Sequence, residues 1–144
     1  MNLNFDLDPL LLLPLALVLI LMALPILSRR MKGKVNYTTT GELNTMLARD
    51  EPVVVIDVRS EKLFAEGHIE GAVNMTPSAL KEKMTEGGQG LDDLKSQRVI
   101  IVCKSDMESI DAAKFLEAAG FENVSVMKGG IFRWKRDHLP MVKE

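Results

Sequence analysis

Residues 53–75 read VVVIDVRSEKLFAEGHIEGAVNM, and the hydrophobic pattern of this stretch sets the expectation for the whole domain. The run VVVID at residues 53–57 is short, β-branched and apolar up to Asp57, which predicts a strand. Its unbroken apolar character is typical of a strand that is covered on both faces, as in a parallel sheet. The tripeptide AVN at residues 72–74 predicts a second strand soon afterwards.

Further strands alternate with helices along the rest of the chain. VIIVC at residues 99–103 and NVSVM at residues 123–127 are predicted strands. The helix signals are a capping box at Thr39 and Glu42, a cap and first-turn pair at Thr76 and Pro77, and an apolar stripe over residues 107–119. Strands that alternate with helices predict an α/β fold, a parallel sheet with helices on both faces.

The N-terminal region contains an apolar segment long enough to cross a membrane. Residues 9–27, PLLLLPLALVLILMALPIL, carry no polar side chain. As a helix they would span about 28 Å, against a hydrocarbon core of about 30 Å. The alternative is a cleaved signal peptide, which needs a basic leading segment and a small-residue cleavage site, and this sequence lacks both. We therefore expect one transmembrane helix over residues 9–28.

Basic residues predict how this helix is oriented. The linker at residues 29–34 contains four Lys or Arg residues, and none precedes the apolar segment. By the positive-inside rule, the tail at residues 1–8 lies outside the cytoplasm and the domain at residues 35–144 lies inside. We expect a single-pass inner-membrane protein that contacts the lipid bilayer and has possible membrane-protein partners.

Charge and cysteine content exclude several classes of protein. The chain has 18 basic and 20 acidic residues, and Asp6 and Asp8 precede the apolar segment, so the remainder is neutral. A neutral domain with few aromatic residues is a poor nucleic-acid binder, and we expect no nucleic-acid partner. One cysteine, with His68 and His138 far apart in sequence, supplies no disulfide and no zinc site, so we expect no metal and no cofactor.

Cys103 is the only cysteine, and it lies where the apolar run VIIVC gives way to polar residues. A helix that begins at about Met107 would direct its free N–H groups into the loop after Cys103. Such groups stabilise an anion, either a thiolate or the outer sulfur of a persulfide. The alternative is a buried thiol without chemistry, because small buried cysteines are common at strand ends. Position alone leaves both interpretations open.

Three motifs resemble the rhodanese family of sulfurtransferases. In residues 53–75, an Asp-x-Arg pair (Asp57 and Arg59) precedes the turn Gly-His-Ile-x-Gly-Ala at residues 67–72. GFENVSVMKGGIFRWKRDHLP at residues 120–140 is similar to the family's closing segment, and Cys103 lies where the family has its sulfur-carrying cysteine. The resemblance covers residues 35–142 and implies a rhodanese-like fold.

The resemblance also implies a role for each matched residue. Cys103 would accept a sulfane sulfur from a donor, become a persulfide and pass the sulfur to a thiol acceptor. Backbone amides of the active-site loop would hold the charge, and Asp57 and Arg59 would brace this loop. His68 would be a turn residue satisfied by backbone contacts. The loop residues are Lys104, Ser105, Asp106, Met107, Glu108 and Ser109.

The loop departs from the family pattern Cys-x-x-Gly-x-Arg at two positions. Asp106 replaces the glycine and Glu108 replaces the arginine. An acid about 4 Å from the sulfur opposes ionisation and would raise the pKa of Cys103 by about one to three. Loss of the arginine also removes the group that would grip thiosulfate, a dianion. Alternatively, the two acids are a helix cap and a first-turn carboxylate that point away from the sulfur.

Two functions from different classes follow. The first is a membrane-anchored sulfurtransferase or persulfide carrier that uses Cys103, and the second is a catalytically degenerate rhodanese-like module that binds a partner at the membrane. Phosphoryl transfer on this fold is excluded because the arginine it needs at position 109 is Ser109.

Overall fold

The computed structural model describes residues 14, 17–20, 22, 34–87 and 90–144. The chain divides into two units, residues 1–34 and residues 35–144, and every strand and helix named below belongs to the second. Among the described residues, no helix is both long and apolar enough to cross a membrane. The helix predicted over residues 9–28 and its flanking segments fall largely outside the described residues, so they stay predictions.

Five parallel strands form one sheet with β4 at its centre. The strands are β1 (Asn36–Thr38), β2 (Val54–Asp57), β3 (Val73–Asn74), β4 (Arg98–Val102) and β5 (Asn123–Met127). Their spatial order is β1-β5-β4-β2-β3. The four predicted strands are confirmed to within one residue at each end. The edge strand β1 was missed because it is short and its first two residues are exposed, so it shows no apolar run.

Helices connect the strands. They are α1 (Thr40–Ala48), α2 (Glu61–Ala65), α3 (Pro77–Thr85), α4 (Asp106–Ala118) and α5 (Gly130–Arg136). The predicted capping box is confirmed, since the Thr39 hydroxyl accepts from the Glu42 N–H and the Glu42 carboxylate accepts from the Thr39 N–H. The Thr76 hydroxyl likewise accepts from the Ala79 N–H at the start of α3.

The helices cover both faces of the sheet, as the sequence predicted. Residues of α3 and α4 pack in one cluster with Val99 and Ile101 of β4. Residues of α1 and α5 pack in the other cluster with Ile100 and Val102. Alternate residues of β4 therefore face opposite layers, and all four are fully buried.

The sheet brings the ends of β2 and β4 together. Asp57, the last residue of β2, is in register with Val102, the last residue of β4. The Val58 N–H donates to the Val102 carbonyl at 2.9 Å, which continues the pairing past the strand end. Asp57 and Cys103 therefore lie side by side at the carboxyl ends of the neighbouring strands β2 and β4.

The N-terminus of α5 packs closely against the backbone that follows β4. Gly129 and Gly130 have φ of 82° and 57°, and the Ile131 N–H donates to the Cys103 carbonyl at 2.8 Å. A Cβ on Gly130 would lie 2.5 Å from the Cys103 carbonyl oxygen and 2.7 Å from that of Lys104. A residue without a side chain is required at position 130 because backbone, which moves little, occupies this space.

Gly130→Ala is expected to lower the free energy of unfolding by about 2 to 5 kcal/mol, since it adds both left-handed strain and a backbone clash. Gly120→Ala is the matched control: its φ is 97° but the space around it is open, so only about 1 to 2 kcal/mol should be lost. Urea unfolding of the two full-length variants measures the difference. Equal losses would show that the close approach does not constrain α5.

Candidate active site

Cys103 lies between the end of β4 and the start of α4. Strand β4 ends at Val102, and a turn at Lys104 and Ser105 follows Cys103. Helix α4 begins at Asp106, one residue before the predicted start. Ser105 is the N-cap residue, and its side chain makes no capping hydrogen bond. The helix N-terminus is therefore open toward the loop, where its orphan N–H groups favour negative charge.

The two backbone amides that follow Cys103 favour its charged form. The amides of Ser105 and Lys104 each lower the pKa of the thiol. They are the first two residues after Cys103, so they belong to the loop that the resemblance predicts to hold the charge. Because these donors are part of the backbone, they stay in place when the sulfur gains charge.

Glu108 points toward the sulfur. The Cys103 thiol donates to Glu108 Oε2 at 2.6 Å, so the acid that replaces the family's arginine is in direct contact with the candidate nucleophile. The sequence left open whether Glu108 points toward the sulfur or away from it, and in the structure it points toward the sulfur.

Burial and Glu108 together hold the thiol in its neutral form. The sulfur-bearing residue has no exposed surface. The pKa of Cys103 is raised from its ordinary value of 9.0 to about 11. Burial is the largest cause, the hydrogen bond to Glu108 and the negative charge of Glu108 act in the same direction, and the two amides act against them. The rise was predicted from a nearby acid, but its largest cause is burial.

Asp106 has a structural partner instead. Its Oδ1 accepts from the Gly129 N–H at 2.7 Å, so it joins the start of α4 to the turn before α5. Asp106 was predicted as a possible helix cap, but Ser105 occupies the N-cap position and Asp106 is the first residue of the helix. In the sequence, Gly129 and Gly130 belong to the segment that resembles the family's closing part. Nothing local indicated that it contacts the Cys103 loop.

Asp57 and Arg59 form a buried ion pair with two-pronged geometry. Arg59 Nε donates to Asp57 Oδ1 at 2.9 Å and Nη2 donates to Oδ2 at 2.6 Å. Arg59 Nη2 also donates to the Gly67 carbonyl, and the Asn74 amide donates to the carbonyls of Asp57 and Arg59. The pair thus ties the end of β2 to the turn at Gly67 and to β3. Its connection to the Cys103 loop is the backbone bond between Val58 and Val102.

His68 is a structural residue, as the resemblance implied. Its Nδ1 lies 2.9 Å from the Phe64 carbonyl, and its ring stacks on the Phe64 ring. Its backbone pairs with that of Val142 in both directions at 2.9 Å. These contacts satisfy the residue within the turn.

Two other loop residues contrast in exposure. Ser109 is fully buried in the first turn of α4, and its hydroxyl has no hydrogen-bond partner within residues 34–87 and 90–144. Met107 is 78% exposed. A buried hydroxyl without a partner is costly in a native fold, so Ser109 is a donor that the described residues leave unused.

A groove of about 450 Å³ runs beside the loop, between α3 and α4. Leu80, Ala112 and Phe115 give it apolar walls, and Glu108, Asp111 and Lys81 supply its charges. Glu108 therefore lines the groove and contacts the sulfur of Cys103. No group of three or more metal-ligating side chains occurs in the part of the chain that the structure describes.

Glu108→Gln is expected to lower the pKa of Cys103 from about 11 by about one pH unit, because it removes the carboxylate that accepts the thiol hydrogen bond and, with it, a like charge beside the sulfur. In both proteins the thiolate appears as pH rises through this pKa. Ultraviolet absorbance of the thiolate, corrected with Cys103→Ser, measures the titration. Asp111→Asn, which removes an acid from the same groove, should leave the pKa of Cys103 unchanged. No difference between wild type and Glu108→Gln would contradict the charge assignment.

Comparisons with known proteins give the family. Residues 39–137 match the rhodanese-like domain family. The YibN protein of Escherichia coli (strain K12) is 36% identical over 115 residues, 80% of this chain and 78% of that protein. A sulfurtransferase of Allochromatium vinosum is 31% identical over 108 residues, which cover 75% of this chain and 95% of that protein.

The solved structures agree in fold. The solution structure of the rhodanese-like domain of the Alr3790 protein from Anabaena sp. superimposes with a TM-score of 0.66 and 28% identity, and the match covers 77% of this chain and 81% of that one. The parallel sheet with helices is the fold that the resemblance predicted. The chain belongs to the rhodanese-like domain family.

Proposed function

We propose that this protein is a sulfurtransferase that carries sulfane sulfur as a persulfide on Cys103. The observation that carries the proposal is the position of the sulfur, at the open N-terminus of α4, where the backbone amides of Lys104 and Ser105 favour its charged form. Similarity to the Allochromatium vinosum sulfurtransferase supports the same activity.

The fixed amides suit a group that gains charge during transfer. When sulfur moves onto Cys103, negative charge develops on the sulfur atoms of the new persulfide. Backbone amides that already favour charge at this position need no reorganisation, which makes them effective around a buried sulfur. Asp57 and Arg59 support the site indirectly, through the backbone of β2.

Before a donor binds, the thiol of Cys103 is almost entirely protonated at neutral pH. With a pKa of about 11, about one Cys103 in ten thousand is a thiolate at pH 7. Glu108 also repels any anion that approaches the sulfur. The proposed donor therefore carries its sulfane sulfur without a strong negative charge beside it, unlike thiosulfate, and the proposed acceptor is a thiol.

Exposure of the full-length chain to a persulfide or polysulfide donor is expected to add about 32 Da, the mass of one sulfur atom, to Cys103. Intact-mass spectrometry measures the addition, and a reducing thiol should reverse it. Cys103→Ser should gain no mass. If wild type gains no mass from any donor, the transferase is excluded and a partner-binding module is left.

We also propose that residues 9–28 tether the domain to the inner membrane, with the tail outside and residues 35–144 in the cytoplasm. The support is the apolar character of residues 9–27 and the four basic residues that follow them. A tether of this kind would place the sulfur site near the membrane surface, within reach of partner proteins there.

The full-length chain is expected in the membrane fraction after an alkaline wash, whereas a variant that lacks residues 9–28 should be soluble. A fluorescent protein fused to the C-terminus should be bright, and a phosphatase that needs an oxidising compartment should be inactive there. Recovery of the full-length chain in the soluble fraction would contradict the tether, and an active phosphatase would contradict the orientation.

A further inference from the structure

Glu108 connects the sulfur to the solvent. Its Oε2 accepts the thiol proton of Cys103 at 2.6 Å, within the distance at which a carboxylate accepts a proton from a nucleophile. The same side chain is exposed and lines the groove between α3 and α4. A proton that leaves the buried sulfur therefore has a nearby acceptor that also faces the space open to a ligand.

The burial of Cys103 makes such an acceptor necessary for fast transfer. The residue has no exposed surface, so water has no direct access to its proton. The thiolate, not the thiol, attacks sulfur. Reaction through the small thiolate fraction present at pH 7 would be slow, whereas removal of the proton during the attack avoids that limit.

We propose that Glu108 is the general base of the transfer and that the site accepts sulfur from persulfides rather than from thiosulfate. This inference rests on the proposed function. It assigns to Glu108 a proton-shuttling role, in place of the anion-binding role of the arginine that the family has at this position.

The step balances as Cys103–SH + R–S–SH → Cys103–S–SH + R–SH. The proton of Cys103 moves to Glu108 Oε2 while the sulfur of Cys103 attacks the outer sulfur of the donor. An S–S bond forms to Cys103, and the S–S bond of the donor breaks with its electron pair going to R–S⁻. Glu108 then returns the proton to R–S⁻, so the carboxylate is restored and no external oxidant or reductant is consumed.

The leaving group explains the choice of donor. The thiolate released from a persulfide is basic and leaves more readily when it is protonated. Thiosulfate releases sulfite, which is much less basic, and thiosulfate approaches as a dianion that Glu108 repels. A carboxylate at position 108 therefore helps the first donor and hinders the second. The other charged groups of the groove are Lys81 of α3 and Asp111 of α4.

The opposite hypothesis is that Glu108 only slows the transfer, because its charge opposes ionisation of Cys103. In that case Glu108→Gln, which increases the equilibrium fraction of thiolate, would accelerate transfer from every donor. If Glu108 is the base, the same variant holds more thiolate at equilibrium and yet reacts more slowly with a persulfide. The two hypotheses predict changes of opposite sign.

The test is single-turnover loading of Cys103 in the full-length chain, quenched with acid and measured by intact-mass spectrometry. With cysteine persulfide at pH 7, Glu108→Gln is expected to load about a hundredfold more slowly than wild type. Between about pH 6 and 9, the rate of Glu108→Gln relative to that of wild type should rise about tenfold per pH unit, because the thiol of the variant must lose its proton before it attacks. The ratio is the measured quantity because the persulfide donor ionises in the same way in both reactions. With thiosulfate, the variant should load as fast as wild type or faster.

Two further variants separate proton transfer from structural damage. Glu108→Asp keeps the carboxylate and should show the pH profile of wild type at a reduced rate, whereas Glu117→Gln, on α4 but outside the groove, should behave as wild type. Loading of Glu108→Gln by cysteine persulfide at or above the wild-type rate would overturn the inference. So would an equal slowing with both donors. If wild type itself fails to load, it is the proposed function that fails.

Discussion

The junction between β4 and α4 is held from three directions, and the position of the candidate nucleophile depends on these contacts. From the residue that follows β2, the Val58 N–H donates to the Val102 carbonyl. From α5, the Ile131 N–H binds the Cys103 carbonyl, and Gly130 leaves the space that this approach requires. From within α4, Asp106 binds the Gly129 N–H. Because all three involve backbone groups, the loop is held in place without using any group that reaches the sulfur.

The electrostatics of the sulfur reflect a competition between backbone and side chain. The amides of Lys104 and Ser105 favour the thiolate, as expected at a helix N-terminus. Burial and Glu108 oppose it and prevail, because desolvation penalises the charged form and the nearest ionisable partner is itself an acid. A scaffold suited to an anionic sulfur thus holds a thiol that is neutral at rest. This combination is consistent with chemistry in which the proton leaves during the transfer step.

Asp106 and Glu108, the two acids that depart from the family's loop pattern, have different roles. Asp106 stabilises the fold by joining α4 to the turn at Gly129, whereas Glu108 contacts the sulfur. Both lie in the first turn of α4, where carboxylates are favourable near free N–H groups. Their different roles follow from the direction each side chain takes on the helix, since residues two apart face different sides.

The sequence by itself determined the fold class, the positions of four strands and the caps of α1 and α3. These depend on local properties, namely runs of apolar residues and side chains that bond to the backbone three residues away. The sequence also placed Cys103 and Asp57 at the ends of two different strands. Because the strands are parallel, their carboxyl ends lie at the same end of the sheet, and so do these two residues. Strand β1 was missed because three residues at an edge leave no hydrophobic pattern.

Only the tertiary structure decided what surrounds the sulfur. Burial of Cys103, the contact with Glu108 and the partnership of Asp106 with Gly129 join residues of separate elements or depend on side-chain direction. The ion pair of Asp57 and Arg59 was visible as a motif, but its bond to Gly67 was not. Local sequence carries no information about such distances, because they are set by how helices and strands pack against one another.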